Sequence, residues 1–213
     1  MMKYKVLCLH GSSSTAALLK KELEIWPSNV LEKMDFVFVD APFPSNTEPD
    51  SKFTWYYEDP TKLDSTFSES IAYIEETMVK FGPFDGVVGF SQGATVTATL
   101  PGMQAQGVAL TKVEGIKFVM LISGAKLGGF RFPAAPKLAQ NAFSSRIEIP
   151  SRHCFGESDL LRLPAVELMG SFVDPFVIDH SGGHEIPKLD EKGLKVMISF
   201  LDKIQETYPT QYS

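Results

Sequence analysis

The chain has 213 residues, 44% hydrophobic and 22% charged, with two cysteines and a formal net charge of −6. That composition belongs to a folded domain and excludes disorder, a coiled coil and a disulfide framework. The acidic balance argues against a nucleic-acid backbone or an anionic membrane surface as partner, and no run of about 20 apolar residues is present to span a bilayer. One domain over residues 1–213 is expected from this length. With no leader-like segment, no Asn-x-Ser/Thr sequon and free thiols, the expected compartment is the cytoplasm.

Tyr4 to Leu9 reads as a strand buried on both faces, ending at His10-Gly11. Hydroxyl residues Ser12 to Thr15 follow as helix caps, with apolar residues at helical spacing from Ala16 to Ile25. Trp26-Pro27 ends that helix, and Asp35 to Asp40 is a second β run. Residues 41–60 are rich in Pro, Ser, Asn and Asp and read as a long loop, which in compact domains is more often functional than idle. This loop carries Trp55-Tyr56-Tyr57. Thr66-x-x-Glu69 has the form of a capping box before a helix with Ile71, Ile74, Met78 and Phe81 on one face.

Further strands are predicted at Gly86–Phe90, Phe118–Ile122, His153–Phe155 and Phe176–Ile178. Helices are predicted from Gln92 to about Leu100, stopped by Pro101-Gly102, then over Leu161–Phe172 and Lys188–Glu206. Residues 126–150 show no clear period. Strands alternating with helices imply βαβ units and a mostly parallel α/β sheet flanked by helices. Such sheets carry their chemistry at the carboxyl ends of the strands. There the chain places Ser91, a group of acids after His153–Phe155, and His180 and His184 after the last strand.

Gly89-Phe90-Ser91-Gln92-Gly93 fits Gly-x-Ser-x-Gly, a strand-to-helix turn that exposes a strained nucleophilic serine. A serine hydroxyl needs a base to take its proton. Among His10, His153, His180 and His184, the base is assigned to His184, because Gly182-Gly183 can aim its imidazole over the sheet edge. The base needs an acid to hold its tautomer, and Asp159 fills that role ahead of Glu157 and Asp179. The order Ser91, Asp159, His184 is the chain order of α/β-hydrolases. An oxyanion hole is expected from the backbone N–H groups of Gln92 and Ser12. Trp55, Tyr56 and Phe130 are candidate walls of an acyl pocket. A zinc site on His180 and His184 is disfavoured, since glycines and Pro187 break the helix such a pair would need. No phosphate-binding glycine motif occurs, so neither metal nor cofactor is expected.

Five blocks taken together resemble the FSH family of serine hydrolases: Leu7-Cys8-Leu9-His10-Gly11, Gly82-Pro83-Phe84-Asp85-Gly86-Val87, Gly89-Phe90-Ser91-Gln92-Gly93-Ala94, Phe155-Gly156-Glu157-Ser158-Asp159 and Gly182-Gly183-His184-Glu185-Ile186-Pro187. The likeness runs from residue 5 to about 200. It implies an α/β-hydrolase fold with little or no cap domain, carboxylesterase or thioesterase activity on acyl chains, and Ser91, Asp159 and His184 as the triad. One departure is Ser12-Ser13-Ser14, where the family would place a bulkier residue, so no acyl-length preference carries over. Acyl-protein thioesterases share Gly-Phe-Ser-Gln-Gly and are the nearest rival. A ligand receptor with vestigial turnover is the alternative outside enzymes. Oligomeric state is not readable.

Overall fold

The computed structural model describes residues 3–47 and 51–209. Its centre is a sheet of six strands: β1 (Tyr4–Leu9), β2 (Met34–Val39), β5 (Gly86–Phe90), β6 (Phe118–Ile122), β7 (Ser151–Gly156) and β8 (Phe176–His180), in the spatial order β2-β1-β5-β6-β7-β8. All five pairings are parallel. The predicted strands therefore all form, each within a residue or two of its expected bounds. Two further short strands, β3 (Phe43–Pro44) and β4 (Phe53–Thr54), pair antiparallel outside this sheet. The expected loop over 41–60 thus contains a hairpin. Its ladder is too short to leave an alternating pattern in the sequence.

Strand residues alternate between two apolar layers, as the twofold period of a strand requires. On β1, Leu7 and Leu9 join one layer while Val6 and Cys8 join the other. The first layer packs α3 (Leu63–Phe81), α4 (Gln92–Ala105) and Leu168 of α5 (Arg162–Met169). The second packs α1 (Ala16–Leu23), Val30 of the single-turn α2 (Ser28–Leu31) and α6 (Glu191–Thr207). Helices on both faces explain why the central strands read as continuous hydrophobic runs. Among the described residues no helix is long and apolar enough to cross a membrane.

Two helix boundaries and one buried position depart from expectation. Thr66 is no N-cap: α3 starts at Leu63, and the Thr66 hydroxyl donates to Lys62 O at 2.8 Å inside the first turn. It also receives the Tyr57 N–H, so the loop claims the side chain that the capping box would have used. Pro101 does not stop α4, which continues to Ala105. That helix is buried all round from Gln92 to Pro101, and packing outweighs the one backbone hydrogen bond a proline removes. It ends instead before Gly107, whose φ of +66° is the left-handed conformation that closes many helices. Phe81, expected on the buried face of α3, is 44% exposed in the last residue of the helix.

Candidate active site

The site forms at the carboxyl edge of β1, β5, β6, β7 and β8. Its centre is the turn between β5 and α4. Ser91 has φ +54° and ψ −118°, a strained conformation for a residue with a Cβ, of a kind that costs on the order of 1–3 kcal/mol. Its N–H donates to Ile122 O of the neighbouring strand, which holds the strained residue in place. The flanking glycines have a steric reason. A Cβ on Gly89 would lie 2.3 Å from Gly93 O, and one on Gly93 would lie 2.1 Å from Leu9 O. Only glycines let the first turn of α4 press this closely onto β5 and β1.

The Ser91 hydroxyl lies 2.9 Å from His184 Nε2, and His184 Nδ1 lies 3.0 Å from Asp159 Oδ1. The carboxylate can only accept, so Nδ1 carries the proton and Nε2 is free to receive one from Ser91. His184 is carried by the loop after β8. That loop is fastened onto the end of β7 by Glu157 N–H to His180 O and Ser158 N–H to Gly182 O. A Cβ on Gly156 would lie 2.3 Å from Gly182 O, so this seat also depends on a glycine.

The Asp159 side chain has no exposed surface. Burial pushes its carboxyl upward, but the Ser123 hydroxyl, the Leu161 N–H and His184 outweigh that and hold it below the ordinary carboxylate value. The Leu161 bond is 2.7 Å. Ser123, at the end of β6, is fully buried with φ +53°. Among the described residues, neither its hydroxyl nor Asp159 Oδ2 closes a hydrogen bond of good geometry.

The competing residues stand away from the Ser91–His184–Asp159 line. Asp179 makes a bidentate pair with Arg162 at 2.5 and 2.8 Å, and Glu157 is exposed. His153 is buried against Phe172, and burial with Arg152 alongside pushes its imidazole down to about 3. His180 Nδ1 accepts from Gly182 N–H. His10 is fully buried between Gly11 O at 2.7 Å and the Ala41 N–H at 2.9 Å. That pair requires the neutral ring with its proton on Nδ1, in keeping with the downward pull of burial on its pKa.

Ser12 and Gln92 flank Ser91 from β1 and β5, which are adjacent strands. Among the described residues, neither backbone N–H is used by another protein group. The Gln92 side chain is the unforeseen part. Its Oε1 accepts from Thr54 Oγ1 at 2.7 Å and Trp55 N–H at 2.8 Å, and its amide N–H donates to Tyr56 O at 2.9 Å. The anomalous serines have partners too: Ser12 with Thr54, Ser13 with Ser45, and Ser14 with the backbone of Phe53.

Two of the pocket candidates need correction. Trp55 is 0% and Tyr56 2% exposed, so neither offers a face to a ligand. The size of an indole favours burial once its N–H is satisfied, here by His10 O at 2.8 Å. Phe130 is 61% exposed, and its N–H is held by the Glu167 carboxylate of α5.

A family model described as serine hydrolase (FSH1) matches residues 1–196. The esterase AGAP003155 of Anopheles gambiae is 29% identical over 222 residues, covering 96% of this chain and 79% of its own length. The esterase C25G4.2 of Caenorhabditis elegans is 28% identical over 210 residues, with 91% of each chain covered. Among solved structures, acyl-protein thioesterase 2 of Zea mays superposes with a TM-score of 0.66 at 19% identity, over 96% of this chain and 94% of that one. That identity shows a common fold, the α/β-hydrolase arrangement of a mostly parallel sheet between helices. The chain belongs to the FSH1 family of serine hydrolases.

Proposed function

We propose that the protein hydrolyses carboxylic esters or thioesters of acyl chains through an acyl-enzyme on Ser91. One observation carries this: Ser91 Oγ, His184 and Asp159 Oδ1 are linked in series at 2.9 and 3.0 Å. As Ser91 Oγ attacks the carbonyl carbon, its proton passes to His184 Nε2, and the ionised Asp159 stabilises the imidazolium. The negative charge developing on the carbonyl oxygen is received by the N–H groups of Ser12 and Gln92. His184 then gives its proton to the leaving alcohol or thiol, and water reverses the sequence to free the acid.

The relatives' printed names, esterases, support the carboxylic-ester reading. The fold of the maize thioesterase is equally compatible with a thioester, since the same groups attack both. The test is fluorophosphonate labelling together with hydrolysis of a p-nitrophenyl ester series and a matched acyl thioester. Labelling at Ser91 and turnover with an optimum at one chain length are expected. Folded protein that neither labels nor turns over any acyl substrate overturns the reading and leaves the receptor alternative.

A further inference from the structure

Trp55 and its neighbours are large side chains in an irregular segment, and the catalytic steps above do not use them. Most of the hydrogen bonds of residues 53–56 lead to the two segments that flank Ser91. Residues 53–55 run alongside the loop that leaves β1 and meet it at three successive points. Phe53 and Ser14 exchange two backbone bonds, at 2.9 and 3.2 Å. Thr54 Oγ1 meets Ser12 Oγ at 3.1 Å. The Trp55 indole N–H donates to His10 O at 2.8 Å. Thr54 and Trp55, with Tyr56, are gripped from the other side by the Gln92 side chain. Ser70 of α3 also donates to Trp55 O, anchoring the segment to the body of the protein.

Thr54 stands at the crossing. An amide oxygen accepts only, so the Thr54 hydroxyl donates to Gln92 Oε1, and its lone pairs then receive the Ser12 hydroxyl. We propose that Thr54 is a positioning residue that sets the separation and aim of the two oxyanion-binding N–H groups by tying Ser12 to Gln92. The proposal rests on the hydrolase reading above. It matters because the two donors come from different strands: Gln92 opens a buried helix, whereas Ser12 lies on an irregular loop without a ladder of its own. Thr54 is 4% exposed, leaving little surface for solvent to replace the hydroxyl. The segment that composition marks as a functional loop is, on this view, a brace beside the site rather than a wall of it.

The experiment compares Thr54→Val, which keeps shape and removes the hydroxyl with its bonds to Gln92, Ser12 and Tyr56 O, with Thr54→Ser, which keeps the hydroxyl. Each is assayed for p-nitrophenyl butyrate hydrolysis, with kcat and KM separated, and for inhibition by a trifluoromethyl ketone that forms an oxyanion on the enzyme. Removing an oxyanion donor outright costs about 10²–10³ in kcat, so a donor left misaligned is expected to cost about 10–100-fold. Thr54→Val should lose that factor in kcat with KM nearly unchanged, and inhibitor affinity should fall in parallel. Thr54→Ser should recover most of both.

Should Thr54→Val not fold, Ser12→Ala cuts the bridge from its exposed end while keeping the backbone N–H, and a smaller loss with the same kcat-only signature is expected. If both fold, their effects should be non-additive, as for two ends of one link. Folded Thr54→Val with wild-type kcat and inhibitor affinity overturns the proposal. So does a loss that Thr54→Ser does not restore. The hydrolase reading fails separately, by absent labelling of the wild type.

Discussion

The site has two halves built on different terms. The half with Ser91, His184 and Asp159 uses side chains from the ends of β5, β8 and β7, joined in line by two hydrogen bonds. The half with Ser12 and Gln92 is proposed to use backbone N–H groups, and the side chains of both residues bond Thr54, some 40 residues away in sequence from either. In the first half the chemistry is a property of the residue types. In the second, nearly any residue could supply the N–H, and what matters is the scaffold that aims it. Substitutions should therefore divide the halves by size and by signature.

The largest effect is expected from Ser91→Ala. Loss of about 10⁶ in kcat is expected, with unchanged thermal stability and no fluorophosphonate labelling. If the variant kept a tenth of the activity, Ser91 would not be the nucleophile. Asp159→Asn should come next. It retains the shape but offers His184 the wrong tautomer partner, and a loss on the order of 10⁴ in kcat is expected. Thr54→Val, by contrast, should cost at most about 100-fold and leave the pH profile in place, because it touches neither His184 nor Asp159.

Ser123→Ala probes the edge of the first half. The Asp159 carboxyl is held below its ordinary value, so the stability it contributes is present above about pH 4 and is lost as pH falls through the lower folded value. Removing the Ser123 hydroxyl raises that folded value. Acid unfolding, followed by circular dichroism, should then begin at a higher pH than in the wild type. An unmoved midpoint would show that Ser123 does nothing for the carboxylate.

The smallest effect on activity is expected from Arg152→Met, remote from both halves on the first residues of β7. The Arg152 guanidinium is fully buried over the Trp26 ring at 4.8 Å, without a hydrogen-bond acceptor among the described residues, and burial pushes its pKa down to about 10. Methionine keeps the packing and removes an uncompensated charge, which should raise stability by about 1–4 kcal/mol and leave kcat alone. A lowered Tm would show that the charge is compensated in solution.

Much of this was legible in the chain. The six main strands announce themselves as short apolar runs because both faces of the sheet are covered. The residues Ser91, Asp159 and His184 follow from chemical type and from standing just after strands. The errors share a cause. The Thr66 capping box, the stop at Pro101 and the pocket role of Trp55 and Tyr56 were local readings that contacts elsewhere override: Tyr57 takes Thr66, burial on all sides carries α4 through its proline, and His10 O satisfies the indole.

The sequence by itself thus determined the layered α/β architecture and singled out Ser91, Asp159 and His184, which the fold brings together. Periodicity and side-chain chemistry are local properties that survive without a fold. Only the tertiary structure decided how the Ser12 and Gln92 side chains are tied to Thr54, and which carboxylate faces His184 while Asp179 turns to Arg162. It also decided that residues 54–56 are buried against the loop after β1 and the Gln92 side chain. The angle of an N–H and the partner of a hydroxyl are settled by contacts between segments far apart in the chain, and no local pattern of residue types encodes them.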